Sequence, residues 1–471
     1  MADRLEFDPN QKKAINSLIN TVVTAGAGSG KTAVLTERYY RLLTEQNAGI
    51  EQICALTFTK KAAREMHERI YNRLLAGTST PSIQQYLASF KDASIQTIDS
   101  FCAAIVKNAA AFFGLPQDFS YDEEGLSELA ARTGMELLFV HGRKPGIQAL
   151  LSECGYSVFV EELVPQLCSE VLSLSEDIDF QALLEMQLEF LGDIRKRLIH
   201  DFSETVRSLV NSWPVKKTDT AKTCEMLEPW QRLSLLLEQG MDAEALALMQ
   251  NIKLNKPGGK ITDNNLKAKE LTDTVRDLKS DLESVIRTFA KKEDMQDIFM
   301  FLTDLQLRFH EKKRRLGIAS YRDVSLMAVQ ALKKDTSLRA WYKSKYRYIM
   351  IDEFQDNNIT QKELLYLLAE RQDLMTDGIP TASSLEPDKL FFVGDEKQSI
   401  YAFRGADVRV FKNLRTDFGD KPEGILGLPF NYRSHPGLVS FFNKVFGHVM
   451  SGSSLDYEAV FQPLLPVEKK G

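Results

Sequence analysis

Gly26, Gly28 and Gly30 alternate with small residues and run directly into Lys31 and Thr32. A phosphate group needs several backbone N–H donors converging on one point, a helix N-terminus aimed at it, a cation, and a hydroxyl that can hold magnesium. The stretch Ala25-Gly26-Ala27-Gly28-Ser29-Gly30 frees the backbone for such a wrap, Lys31 supplies the charge and Thr32 the metal-binding hydroxyl. The strict form of this loop begins with glycine, and Ala25 stands in that place. Far along the chain, the apolar run Tyr348-Ile349-Met350-Ile351 delivers Asp352 and Glu353 at its carboxyl end. There Asp352 is suited to hold a magnesium ion through its water shell, and Glu353 to orient and deprotonate an attacking water. An isolated acidic pair after a strand would mark only a solvated helix start. Joined to the glycine loop, it implies hydrolysis of a nucleoside triphosphate.

Strand and helix must alternate around these residues to position them. Val22-Val23-Thr24 is a β-branched run before the glycine loop, and Ala33 to Arg38 reads as the helix after it. Ile53 to Phe58 and Ser94 to Ile98 form further strands, each followed by a helical pattern, and the alternation resumes at Tyr346 to Glu353 and Leu390 to Asp395. Such alternation implies a mostly parallel sheet whose ligands sit beyond the carboxyl ends of its strands. Between about 120 and 316 the pattern is helical. Leu184, Leu188, Leu191, Ile194, Leu198, Phe202, Val206 and Leu209 recur at three- and four-residue steps, the mark of a long amphipathic helix, and a turn-rich break spans Asn251 to Asn265. This segment is the insertion that separates Lys31 from Asp352.

At 471 residues, 44% hydrophobic and 26% charged, the chain exceeds one core and is expected to fold as two or three domains. Its net charge of -6 does not advertise nucleic acid, yet phosphate is attracted by a local groove rather than by the total. Cys54, Cys102, Cys154, Cys168 and Cys224 are scattered without metal or disulfide spacing, as expected of reduced thiols. The basic runs Arg195-Lys196-Arg197 and Lys312-Lys313-Arg314-Arg315 read as solvated helix faces, with contact to nucleic acid as the alternative. No apolar segment is long enough for a membrane span and no signal core opens the chain, so a cytoplasmic location is expected.

Further motifs, in their order and wording, resemble those of superfamily 1A helicases of the UvrD, RecB and AddA kind. Phe7-Asp8-Pro9-Asn10-Gln11 is similar to the family's adenine-reading segment, with Gln11 as reader. Leu56 to Met66 and Gln96 to Cys102 resemble its single-strand-contacting motifs, which nominates Thr57, Phe58, Thr59 and Thr97 for DNA and leaves Phe101 to the core. Asp352-Glu353-Phe354-Gln355-Asp356 matches the family's carboxylate motif, and Val393 to Asp407 is the longest match. There the resemblance makes Gln398 the γ-phosphate sensor and points Tyr401 and Phe403 toward DNA; Phe403, where UvrD types tend to carry tryptophan, leans toward the RecB and AddA branch. Leu428 to Ser434 resembles the motif opening the second lobe, with Tyr432 stacking on adenine and Arg433 as an arginine finger. Ala33 departs from the basic residue common among UvrD-like members, which loosens one wall of the base pocket.

The resemblance implies an α/β fold: a RecA-like P-loop NTPase parallel sheet with a large inserted all-helical domain. Residues 1–120 and 317–424 would form the first lobe, 121–316 the insert and 425–471 the start of a truncated second lobe. It further implies ATP, Mg2+, and 3′-to-5′ translocation on single-stranded DNA in repair or recombination, with a second subunit of a helicase–nuclease complex as partner. DNA rather than RNA as track follows from the resemblance alone. Because two lobes must close and open to walk along a strand, the expectation is the N-terminal portion of a longer motor. The rival expectation is a nucleotide- and DNA-binding regulatory or assembly module with little turnover.

Overall fold

The computed structural model describes residues 6–77, 81–213, 220–256, 263–419, 421–450 and 458–467. The Cys224 side chain and the central part of the expected turn-rich break, 257–262, lie outside the described residues. The chain divides into two compact units: Met1–Glu123, Ser173–Ser175 and Lys313–Gly471 form the first, Glu124–Leu172 and Glu176–Lys312 the second.

Strands of the first unit, in chain order, are β1 (Thr21–Ala25), β2 (Ile53–Thr57), β3 (Ser94–Thr97), β4 (Ser120–Tyr121), β5 (Ile318–Ala319), β6 (Tyr348–Ile351), β7 (Leu390–Gly394), β8 (Ile425–Leu428), β9 (Phe430–Asn431) and β10 (Leu465–Pro466). β3-β2-β6-β7-β1-β8 make one six-stranded sheet, parallel throughout. β4 pairs with β5, and β9 with β10. A parallel sheet is covered on both faces, so its inner strands are apolar along their whole length. Every residue of β2, β6 and β7 is buried. Val22, Leu56, Ile351 and Phe392 face one core with Phe354 and Phe411, while Val23, Ala55, Met350 and Val393 face the other with Val34 and Ile70.

β8 corrects the expectation that Ile425 opens a second lobe. It pairs with β1 from Val22 opposite Ile425 to Ala25 opposite Leu428, and so forms an edge of the first sheet. Ile425 packs on one core while Leu426 and Leu428 pack on the other, the alternation of a strand covered on both faces. Without it, β1 would present an unpaired edge.

The second unit is helical among its described residues. The apolar stripe forms a helix of 33 residues, Phe180–Ser212, started by the Asp179 side chain accepting from the Ala182 N–H. Leu184, Phe202, Val206 and Leu209 are buried; Leu188, Leu191, Ile194 and Leu198 are half-buried. Phe202 and Leu209 share a core with Trp230 and Leu233 of Thr220–Glu238 and with Leu282 and Ile286 of Asp263–Ala290. Arg195 pairs with Asp242, while Lys196 and Arg197 are exposed.

The second basic run is not a solvated face. Four consecutive helical residues point around nearly the whole circumference, so some must turn inward. Lys312, in the second unit, donates to Glu136 at 2.6 Å and Thr133 at 3.2 Å. Lys313, in the first, is 1% exposed and paired with the wholly buried Asp323. Arg314 Nε donates to the Phe113 carbonyl. The Asp323 carboxylate also accepts from the amides of Leu174 and Ser320 and from the Ser320 hydroxyl. Burial works to raise that carboxyl, but the Lys313 charge and these donors together hold it below the usual range.

Cys54, Cys102 and Cys168 are buried and Cys154 half-buried, all as free thiols. No helix of the described residues is long and apolar enough to cross a membrane. Asp323→Ala leaves the Lys313 ammonium buried and unpaired, and denaturant unfolding of the first unit should show a loss of about 3–5 kcal/mol. Because the native Asp323 carboxyl titrates below its unfolded value, this difference is full at neutral pH and shrinks as pH falls through the native value.

Candidate functional site

β1 ends at Ala25, whose methyl is fully buried in the core, so glycine is not needed there. The loop then turns through Gly28 at φ +72° and Gly30 at φ +85° into the helix Lys31–Thr44. A Cβ at Gly28 would lie 2.8 Å from Arg433 Cβ, and one at Gly30 2.8 Å from Gln11 Nε2. Glycine is therefore required twice over, by backbone conformation and by close approach. The Ser29 hydroxyl, 1% exposed, has no hydrogen-bond partner among the described residues. An orphaned donor in a glycine wrap fits a phosphate oxygen. Thr32 follows Lys31 on the first turn of the helix.

Lys31 Nζ donates to Glu353 Oε2 at 2.8 Å. The glycine loop and the acidic pair thus meet, from opposite ends of the chain. Glu353 has a left-handed backbone, φ 52° and ψ 43°, a conformation that costs a residue with a side chain about 1–3 kcal/mol and clusters at functional sites. Its N–H donates to Asp352 Oδ1 at 3.0 Å. Asp352, at the carboxyl end of β6, is pushed up to about 7, first by burial and then by the Glu353 charge. The same two causes raise Asp356 to about 6. Lys31 offsets both, and alone it leaves the cluster rich in carboxylates, the donor set a divalent cation fits.

Gln355, quoted in the carboxylate motif but given no role from sequence, is the buried hub of the site. Its Nε2 donates to Glu353 Oε2 at 2.9 Å and Asp356 Oδ2 at 3.3 Å, and its Oε1 accepts the Asp395 N–H at 2.9 Å. Asp395 in turn accepts from Gln398 Nε2 at 2.7 Å and pairs with Lys397 at 2.8 Å. Glu353 and Gln398 are joined through Gln355 and Asp395. Only a glutamine beside an acidic pair signalled this, and that signal does not name a partner forty residues on.

The adenine-reading candidate is engaged at both ends. Gln11 Oε1 accepts the Asp8 N–H at 3.0 Å, while its Nε2 donates to the Ser29 carbonyl at 3.0 Å. One N–H and one lone pair of the amide remain. The Tyr432 hydroxyl donates to Asp8 Oδ2 at 2.6 Å and its N–H to the Gly28 carbonyl at 2.9 Å. Burial, and then the Asp8 carboxylate accepting from it, raise the Tyr432 phenol. Asn431 Nδ2 donates to the Ala27 carbonyl at 2.8 Å, and Arg433 is exposed with its Cβ over Gly28.

Of the residues expected to meet a strand, Thr57 is 1% exposed, with its hydroxyl donating to the Thr59 carbonyl. The hydroxyls of Thr59 and Thr97 cap helices by accepting from the Ala62 and Ser100 amides. Phe101 is buried in the core. The aromatic residues are different. Phe58 and Tyr401 rings lie 4.8 Å apart, Tyr401 and Phe403 5.9 Å, and Phe403 is 81% exposed. They form a ladder at the carboxyl ends of β2 and β7, a few residues beyond Gln398.

The family model described as UvrD/REP helicase N-terminal domain matches residues 7–419. Curated relatives include an ATP-dependent helicase/nuclease subunit from Syntrophomonas wolfei, 27% identical over 95% of this chain and 38% of that protein. Proteins of the same name from Clostridium acetobutylicum and Clostridioides difficile are 26% identical over 97% and 27% identical over 92% of this chain, covering 41% and 38% of their lengths. The chain spans about two fifths of the length of these relatives.

A proton on Asp352 competes with a cation for the same oxygens. Magnesium affinity, titrated calorimetrically with a non-hydrolysable triphosphate, should therefore rise from about pH 6 to about pH 8, and Asp352→Asn should weaken it and flatten the dependence.

Proposed function

We propose, from the premise that this chain belongs to the family of UvrD/REP helicase N-terminal domains, that it is the ATP-binding portion of a motor that moves on single-stranded DNA. The observation that carries the reading is the meeting of Lys31 with Glu353, linked through Gln355, Asp395 and Gln398 to the turn that bears Tyr401 and Phe403.

In this reading the backbone from Gly26 to Gly30, with the Ser29 hydroxyl and Lys31, takes the triphosphate. Thr32 and Asp352 hold Mg2+, which when bound neutralises charge on the phosphates. Glu353 exchanges Lys31 for the attacking water and accepts its proton. Gln398 responds to the γ-phosphate, and Arg433 approaches it as charge develops. Tyr432 leaves Asp8 to stack on adenine, whose edge meets the remaining N–H and lone pair of Gln11. Phe58, Tyr401 and Phe403 stack on successive bases, while Thr57, Thr59 and Thr97 hold the shape of the track rather than touch it.

We assign 1–120, 317–424 and β8 to the first RecA-like lobe, 121–316 to an inserted helical domain, and the residues after β8 to the start of a second lobe. The relatives' name goes with a role in DNA repair or recombination beside a second component of a helicase–nuclease complex, with 3′-to-5′ polarity and a cytoplasmic location. A second reading, a binding module with little turnover, is favoured by one observation. Glu353 holds Lys31, and Asn431 and Tyr432 hold the loop carbonyls of Ala27 and Gly28, so nucleotide must displace contacts already made.

The two readings part on DNA-stimulated ATPase activity. Glu353→Gln should lower stimulated turnover by about 10²–10⁴-fold while nucleotide binding persists; binding without turnover in the unaltered chain would favour the module. Phe403→Ala and Phe58→Ala should each weaken binding of an oligothymidylate by about 1–3 kcal/mol, read by fluorescence anisotropy.

A further inference from the structure

The helix Val408–Asp417 carries no residue given a role above, and sits on one core through Val410, Phe411 and Leu414. In its last turn Arg415 reaches two segments of the site. Nη2 donates to Thr24 Oγ1 at 3.1 Å and lies 2.5 Å from Glu396 Oε1. Thr24 is the β1 residue just before Ala25, so it stands at the root of the phosphate loop. Glu396 opens the turn Glu396–Gln398 and stands two residues before the candidate sensor. Thr24 lies opposite Gly394 on β7 and Gly427 on β8, so no strand side chain flanks it and the approach from the helix is open.

The energetics are lopsided. Arg415 is 32% exposed and, paired with an exposed carboxylate, would contribute little. Glu396, however, is 5% exposed, its Oε2 has no hydrogen-bond partner among the described residues, and Arg415 is the cation paired with it there. Removing the guanidinium leaves a buried carboxylate uncompensated, and the least costly relief is for the turn to swing toward water. That turn carries Gln398 and leads directly to Tyr401.

We propose that Arg415 is a positioning residue: by holding Thr24 and Glu396 together, it fixes the turn bearing Gln398 and Tyr401 to the strand bearing the phosphate loop, and so couples nucleotide binding to strand binding. The inference rests on the function proposed above. Arg415 touches neither ligand, so its effect belongs to the coupling between the two sites rather than to either affinity.

The test measures affinity for a fluorescent non-hydrolysable ATP analogue with and without saturating oligothymidylate, in the chain and in Arg415→Ala, Arg415→Lys and Thr24→Val. The chain itself should bind the analogue about 5–150-fold more tightly with the oligonucleotide than without it. Arg415→Ala should bring that ratio close to one while each ligand alone binds within about threefold of its original affinity, and Arg415→Lys should recover part of the ratio. If Arg415→Ala fails to fold, Thr24→Val decides, since it removes one acceptor and spares the ion pair; a reduced ratio supports the inference. An unchanged ratio in the folded variant, or a loss of nucleotide affinity equal with and without DNA, overturns it. Should the chain bind both ligands with no coupling, the inference fails and the proposed function stands. Should it bind no nucleotide, both fail.

Discussion

One ion pair organises the first unit: Lys31 Nζ against Glu353 Oε2 at 2.8 Å. The two residues lie 322 positions apart in sequence, and strand order brings them together. β1 and β6 are separated only by β7, all three run parallel, and the chain leaves each at its carboxyl end into the loop that carries the functional side chain. Reversing any of these strands would send Lys31 or Glu353 to the far edge of the sheet. The topology is the precondition of the chemistry, which is why ligands of open α/β sheets gather where strand ends converge.

Around that pair the site stores cost. Glu353 is held in a left-handed backbone, Asp352 is raised toward neutrality by burial beside Glu353, and the Ser29 hydroxyl is buried without a partner among the described residues. Each is unfavourable in isolation, and the same event relieves the last two: a triphosphate with its cation supplies positive charge to the carboxylates and an acceptor to the hydroxyl. Gln355 carries the state of Glu353 to Asp395, and the Asp395 to Phe403 segment carries it to an exposed aromatic ladder. Chemistry and grip share a few residues of backbone, so neither can change without the other.

What the sequence made legible was whatever depends on local backbone. The glycine loop needs positive φ at Gly28 and Gly30, and the apolar strand before Asp352 needs burial on both faces; both demands are written in adjacent residues. The aromatic residues Phe58, Tyr401 and Phe403 were legible by resemblance, but not their stacking on one another. Partnerships across the fold were hidden. Lys313 read as one of four surface cations because nothing nearby in sequence announces that Asp323 is buried beside it. β8 read as the start of a new lobe because a strand's own pattern does not name the edge it will join, and β1 had an edge to fill. Arg415 belongs to no motif at all; only its reach to Thr24 and Glu396 marks it.

The account turns on whether a triphosphate takes the place of Glu353 at Lys31. A structure of the chain solved with Mg2+ and a non-hydrolysable ATP analogue tests this directly. The account predicts Lys31 Nζ on the β- and γ-phosphates, Asp352 beside the metal, and Glu353 turned from the lysine toward the γ-phosphate. A nucleotide bound elsewhere, with the Lys31–Glu353 pair intact, would contradict it.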